Sequence, residues 1–150
     1  MKSIIITSLF MFICSCDFPY EHGGLNWSRP SIEEMNWHDA QEYCKDLGGR
    51  LPTINELRTL IENCPRTETD GKCQVKDDCL NDGCFDGYCD GCEYNYHDTG
   101  IYNSIGTASR VWSSLQNEDN PDNVWMVDFG YAAVLDVNKN EKIECYCVKK

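Results

Sequence analysis

Eleven cysteines in 150 residues are the densest reactive chemistry in this chain. Sulfur used this heavily closes disulfides, holds a soft metal ion or carries a covalent modification. Cys16 points to the last of these. Met1-Lys2 is a minimal positive start, and Ile4 to Ile13 is an apolar run too short to span a bilayer. Ile13-Cys14-Ser15-Cys16 then sets a branched aliphatic three positions before a cysteine and a small residue directly before it. That is the pattern of a lipobox, and it predicts cleavage after residue 15 and thioether lipidation of Cys16. Cys14 does not qualify, because Ile13 precedes it. The competing reading is an ordinary signal peptide cleaved nearby, or a buried N-terminal strand.

Without Cys14 and Cys16, nine cysteines remain: Cys44, Cys64, Cys73, Cys79, Cys84, Cys89, Cys92, Cys145 and Cys147. So many thiols fit an oxidising compartment and a disulfide framework. Six of them fall between 64 and 92 and can close among themselves as three bridges. Cys145 and Cys147 stand two apart, on the same face of a strand. Cys145 is therefore unpaired, a competitor for an insert cysteine, or available for an intermolecular bridge.

The segment 64–102 is also acidic, with Asp70, Asp77, Asp78, Asp82, Asp86, Asp90 and Glu93 among its glycines. It reads first as a solvated loop that cannot bury a core and is stapled by disulfides. Calcium is the second reading, since clustered carboxylates and carbonyls of Gly-rich turns are hard-cation ligands. Zinc is the third, but Cys79-x4-Cys84-x4-Cys89-x2-Cys92 contains only one C-x-x-C. A second candidate loop, Glu118, Asp119 and Asp122, lies between two strands, where ligand or metal sites often sit. Its Asn-Pro-Asp echoes part of a sugar-binding calcium motif, without the Trp-Asn-Asp that should follow. No cofactor is certain from the sequence; calcium is the foremost candidate, ahead of zinc.

Charge narrows the partners. Removing residues 1–15 takes away Lys2, leaving twelve basic against 25 acidic residues, a formal −13. No basic patch forms, which excludes nucleic acid as an expected partner. Catalysis finds little support: the histidines are His22, His38 and His97, and no Ser–His–Asp order, H-E-x-x-H or G-x-S-x-G occurs. The chain reads as a non-enzyme.

The elements that must position these groups follow from periodicity. Asp17 to Gly24 reads as a tether and Leu25 to Ser28 as a first strand. Asn36 with Asp39 approximates a capping box for a helix carrying Trp37, Ala40, Cys44 and Leu47, stopped by Gly48-Gly49. Thr53 with Glu56 is a full capping box, followed by the buried stripe Ile54, Leu57, Leu60 and Ile61. Beyond Val111 the period becomes that of strands: 111–115, 124–129, 131–137 and 143–148.

Trp37-x-x-Ala40-x-x-Tyr43-Cys44, a glycine turn, Arg50-Leu51-Pro52-Thr53-x-x-Glu56-Leu57, Trp112-Ser113-Ser114 and Cys147-Val148-Lys149 together resemble the Lcl C-terminal domain family of bacterial secreted proteins and lipoproteins. The resemblance runs from about residue 25 to 149. It implies an α+β, C-type lectin-like domain with two N-terminal helices, a late antiparallel sheet and a disulfide-rich insert. It also implies a Cys44–Cys147 bridge tying the first helix to the last strand. The expected division is a signal peptide 1–15, a lipid anchor and tether 16–24, and a domain 25–150 with its acidic insert 64–102. The implied function is a membrane-anchored lipoprotein of the bacterial envelope, extracytoplasmic, binding a glycan or surface protein; the alternative is a structural envelope lipoprotein. A remoter alternative is an enzyme of the formylglycine-generating fold group, which Cys145-x-Cys147 echoes superficially. The family's namesake adhesin is associated with sulfated glycans, but the negative charge of this chain disfavours them.

Overall fold

The computed structural model describes residues 17–92, 105 and 109–150, so Cys16, residues 93–102 and His97 lie outside the described residues. The first elements among the described residues form a hairpin, β1 (Tyr20–His22) and β2 (Leu25–Trp27). Gly23 and Gly24 make its turn with φ of +60° and +74°, a geometry that costs glycine little. Helix α1 (Trp37–Asp46) and a five-residue helix α2 (Ile54–Arg58) follow. The insert comes next, with a 3-10 turn at Asp82–Cys84. Strands β3 (Arg110–Gln116), β4 (Asn123–Asp128), β5 (Ala133–Asn138) and β6 (Val148–Lys149) complete the chain.

The result is a small α+β domain with two antiparallel sheets, ordered β1-β2-β6 and β3-β4-β5. The second sheet is buried on both faces. Side chains alternate along β4, so Val124 and Met126 join Trp37, Ala40 and Cys44 of α1, while Trp125 and Val127 join Ile54 and Leu57 of α2. All four tryptophans are buried at 6% exposure or less. Each indole brings a polar N–H inside, and these find carbonyls: Trp37 donates to Ser113 O at 2.8 Å and Trp112 to Met35 O at 2.9 Å. These two bonds cross between α1 with its lead-in and β3.

Four expectations need correction. Residues 17–24 are not a free tether, because Phe18 is buried among the α1 core residues and Tyr20–His22 pair with β2. The second helix stops at Arg58, and Leu60 and Ile61 close it with tighter bonds to Leu57 and Arg58 carbonyls. The 143–148 segment is a ladder strand only at its end. Its backbone instead changes partner residue by residue: Ile143 with Met35, Glu144 with Trp112, Cys145 with Ser31, Cys147 with Ser28. It works as a seam between the two sheets.

The insert is the fourth. Its aspartates at 70, 77, 78, 82 and 90 are exposed, as a solvated loop requires. Beneath them, Cys64, Cys73, Val75, Leu80, Cys84 and Cys89 are buried and pack into the same core as Trp125. Three bridges make this possible: Cys64–Cys92, Cys73–Cys89 and Cys79–Cys84, nested one inside the next. Half-cystines are apolar, and tying them in concentric pairs turns a polar sequence into a folded layer.

Candidate functional site

The residues of the recognisable motifs are spent on one another. Arg50 makes a two-pronged pair with Glu56, at 2.6 and 2.7 Å, and its backbone exchanges bonds with Val148 at 2.8 and 3.0 Å. Glu56 also closes the capping box with Thr53. Burial pushes the Glu56 carboxyl up, but the hydrogen bonds of Arg50 and Thr53 and the Arg50 charge bring it below its ordinary value. Pro52 O accepts from Ser114 N at 2.8 Å, and Ser113 Oγ donates to Trp125 O at 2.6 Å where β3 bulges. Cys44 and Cys147 are joined, their Cα atoms 5.2 Å apart. These contacts commit the motif residues chiefly to the frame, with the Arg50 side chain still 48% exposed.

Arg58 is the residue that pattern reading passed over. Its side chain is fully buried, yet among the described residues it forms no ion pair with a carboxylate. Its guanidinium donates to four insert carbonyls: Thr67, Val75, Glu68 and Cys73, at 2.9, 2.8, 2.6 and 3.3 Å. Burial lowers its pKa, against the more distant pull of Asp77 and Asp70. A fixed fork of five donors suits such a ring of carbonyls as no lysine could. The available signal was its position four residues after Ile54, inside the apolar stripe.

The insert is clamped to the β3-β4-β5 sheet from several sides. Trp125 Nε1 donates to Leu80 O at 2.8 Å, Val134 N to Cys89 O at 2.8 Å, and Asn117 Nδ2 to Asp82 Oδ1 at 2.7 Å. Gly91, at φ +87°, lies against the Tyr131 carbonyl with no room for a Cβ. On the outside of this junction stand the exposed aromatics Phe85, Tyr88 and Tyr131, at 37%, 45% and 66% exposure. Tyr88 is flanked by two cations, Arg66 at 5.5 Å and Lys72 at 4.9 Å from its ring centre.

Glu118, Asp119 and Asp122 share a loop but not a focus. Asp119 Oδ2 accepts from Asp82 N at 3.0 Å, Asp122 pairs with Lys139 at 3.1 Å, and Glu118 points to solvent while its N–H meets Leu80 O. Among the described residues, the set of three ligand-type side chains close enough for one ion is Cys44, Cys145 and Cys147. Cys145 is unpaired and fully buried, which removes the intermolecular bridge as a role for it in this conformation. Of the histidines, His22 bonds Thr59 O at 3.0 Å and His38 is exposed beside Trp37.

The Lcl C-terminal domain family model matches residues 21–149, and the chain belongs to that family. No curated protein matches the chain. Four disulfides fit a secreted, extracytoplasmic domain. Among the described residues no helix is long and apolar enough to cross a membrane.

Proposed function

We propose that this chain is a bacterial envelope lipoprotein, anchored through Cys16, whose C-type lectin-like domain binds an extracellular glycan or surface protein and is not an enzyme. The observation that carries this reading is a division of labour. Motif residues are consumed by the scaffold, whereas Phe85, Tyr88 and Tyr131 stand exposed on the insert and the adjoining β4–β5 turn. Aromatics held on rigid backbone, with arginine nearby, are the residue types that dominate binding energy at interfaces. Their flat faces accept sugar rings and apolar peptide side chains alike.

The anchor reading gains support from the N-terminus. Only Asp17 separates Cys16 from the buried Phe18, so an acylated Cys16 would hold the domain close against its membrane. Two helices before a late antiparallel sheet, with Cys44 tied to Cys147, support the lectin-like arrangement.

Whole cells displaying the protein, probed with arrays of neutral and acidic glycans and of extracellular-matrix proteins, test the binding role. A Tyr88→Ala/Tyr131→Ala double variant should lose at least about tenfold in affinity without a change in melting temperature, as expected when interface anchors are truncated. Binding that survives the double variant places the site elsewhere, and no binding on any array leaves the structural envelope role. Cys16→Ser should release the protein from the membrane fraction; continued labelling by a lipid precursor would remove the anchor from the proposal.

A further inference from the structure

Three sulfurs meet in the core between α1 and the seam. The Cys44, Cys145 and Cys147 Sγ atoms all lie within 4.8 Å of one another, and all three residues are fully buried. Cys44 and Cys147 form a disulfide, so a free thiol sits beside a bridge that it can attack. The backbone around them has an unusual regularity. Ser28 N donates to Cys147 O at 2.9 Å while Cys147 N donates to Ser28 Oγ at 2.8 Å. Ser31 repeats the arrangement on Cys145, at 2.9 Å and 3.1 Å. Two serines thus hold both cysteines in equivalent settings, on the same side of the chain, facing Cys44.

We propose that these sulfurs form an internal thiol–disulfide exchange triad in which Cys44 pairs alternately with Cys147 and Cys145. The Cys145 thiolate attacks Cys44 Sγ, forming the Cys44–Cys145 bond as the Cys44–Cys147 bond breaks. The electron pair leaves on Cys147 Sγ, which takes up the proton that Cys145 gave. Nothing is oxidised or reduced overall, and no outside reagent takes part. Because the serines fix both backbones, the exchange needs side-chain rotation and no change of register. The reacting atoms are already neighbours, which removes the entropic cost of encounter.

The same burial limits the rate and the audience. Burial, with the Glu144 charge adding to it against the Ser31 hydrogen bond, pushes the Cys145 thiol up to about 11. Little thiolate exists at neutral pH, and external thiols and alkylating agents have no path to it. Exchange is therefore slow and confined to the three partners. Its consequence is redundancy: α1 stays tied to the seam whichever of the two cysteines is bonded.

Differential alkylation of the full-length oxidised protein tests this. After incubation at pH 8.5 without reductant, the sample is acid-quenched, unfolded and labelled with one alkylating agent. It is then reduced and labelled with a second. Fragmentation of the 143–149 peptide at Tyr146 shows which cysteine took the first label. The expected result is first label on both Cys145 and Cys147, whereas first label on Cys145 alone overturns the proposal. Cys147→Ser should retain a Cys44–Cys145 bridge in non-reducing peptide maps, and a free Cys44 in the folded variant also overturns it. Should that variant not fold, the labelling of the wild-type protein decides.

Discussion

The Trp125 indole donates to the Leu80 carbonyl at 2.8 Å, joining β4, the middle strand of the β3-β4-β5 sheet, to the centre of the insert. Phe85 lies over the same indole with ring centres 6.0 Å apart. An insertion rich in aspartate is thereby seated on the most buried strand of the domain. Its inner face is tied to the frame beneath.

Arg58 should be the costliest single charge to remove. Arg58→Met leaves four carbonyls without their donor in a dry setting, for a loss of about 3 kcal/mol or more. Arg58→Lys keeps the charge but not the fork, and should fall between wild type and Met. Chemical denaturation measures the order, and hydrogen exchange should quicken first in residues 64–80. Equal stability of all three proteins would contradict the stapling role.

Cys44 closes a loop of 103 residues with Cys147, for which chain entropy predicts about 4–5 kcal/mol. Cys44→Ala should lose most of that, since neither partner of the triad can replace it. Cys145→Ser should cost far less. Urea midpoints of the two variants make the comparison, and a Cys44→Ala loss under about 1 kcal/mol would show that the bridge adds little beyond packing.

Glu56 gives a pH signature. Its folded pKa is depressed, so its ionised form contributes stability that is present above the unfolded value and lost as pH falls through the folded one. Glu56→Gln should therefore cost about 1 kcal/mol at pH 7, where capping box and Arg50 pair are both made. The gap between variant and wild type should close below about pH 4. A gap that persists unchanged at pH 3 would assign the effect to packing.

How much of this was legible follows from the range of each signal. Both helix starts could be read because Asn36 and Thr53 cap through residues three positions away. The strands from Arg110 to Asn138 announce themselves by period and turns. Tyr20–His22 did not, since three residues between Pro19 and a Gly-Gly turn carry no period. The end of α2 was hidden because Leu60 and Ile61 keep the apolar phase after the helical bonds stop. For the site, the six insert cysteines foretold three internal bridges, but not that their nesting would build a core. The Glu118–Asp122 loop looked like a set of ligands because sequence shows proximity, not direction; Asp119 turns to Asp82 and Asp122 to Lys139.

That divergence yields a prediction about ions. Millimolar calcium should leave the melting temperature unchanged, whereas a real site would add ~1.4 kcal/mol at a tenfold excess over Kd. Asp119→Asn should weaken the insert's hold on the Asp82 amide to the same extent with and without calcium. A calcium-dependent rise in melting temperature that Asp119→Asn abolishes would instead make this loop an ion site.

The nesting of Cys64–Cys92, Cys73–Cys89 and Cys79–Cys84 has a consequence for life among proteases. A cut anywhere between Cys64 and Cys92 leaves the two halves covalently joined, and a cut at the exposed Asp82 tip leaves them joined by all three bridges. Outside that span, Cys44–Cys147 does the same for any break between those residues. A single nick in any one stretch between neighbouring cysteines of the insert therefore sheds no fragment. A molecule displayed outside the cell would then wear at its surface while keeping its parts together.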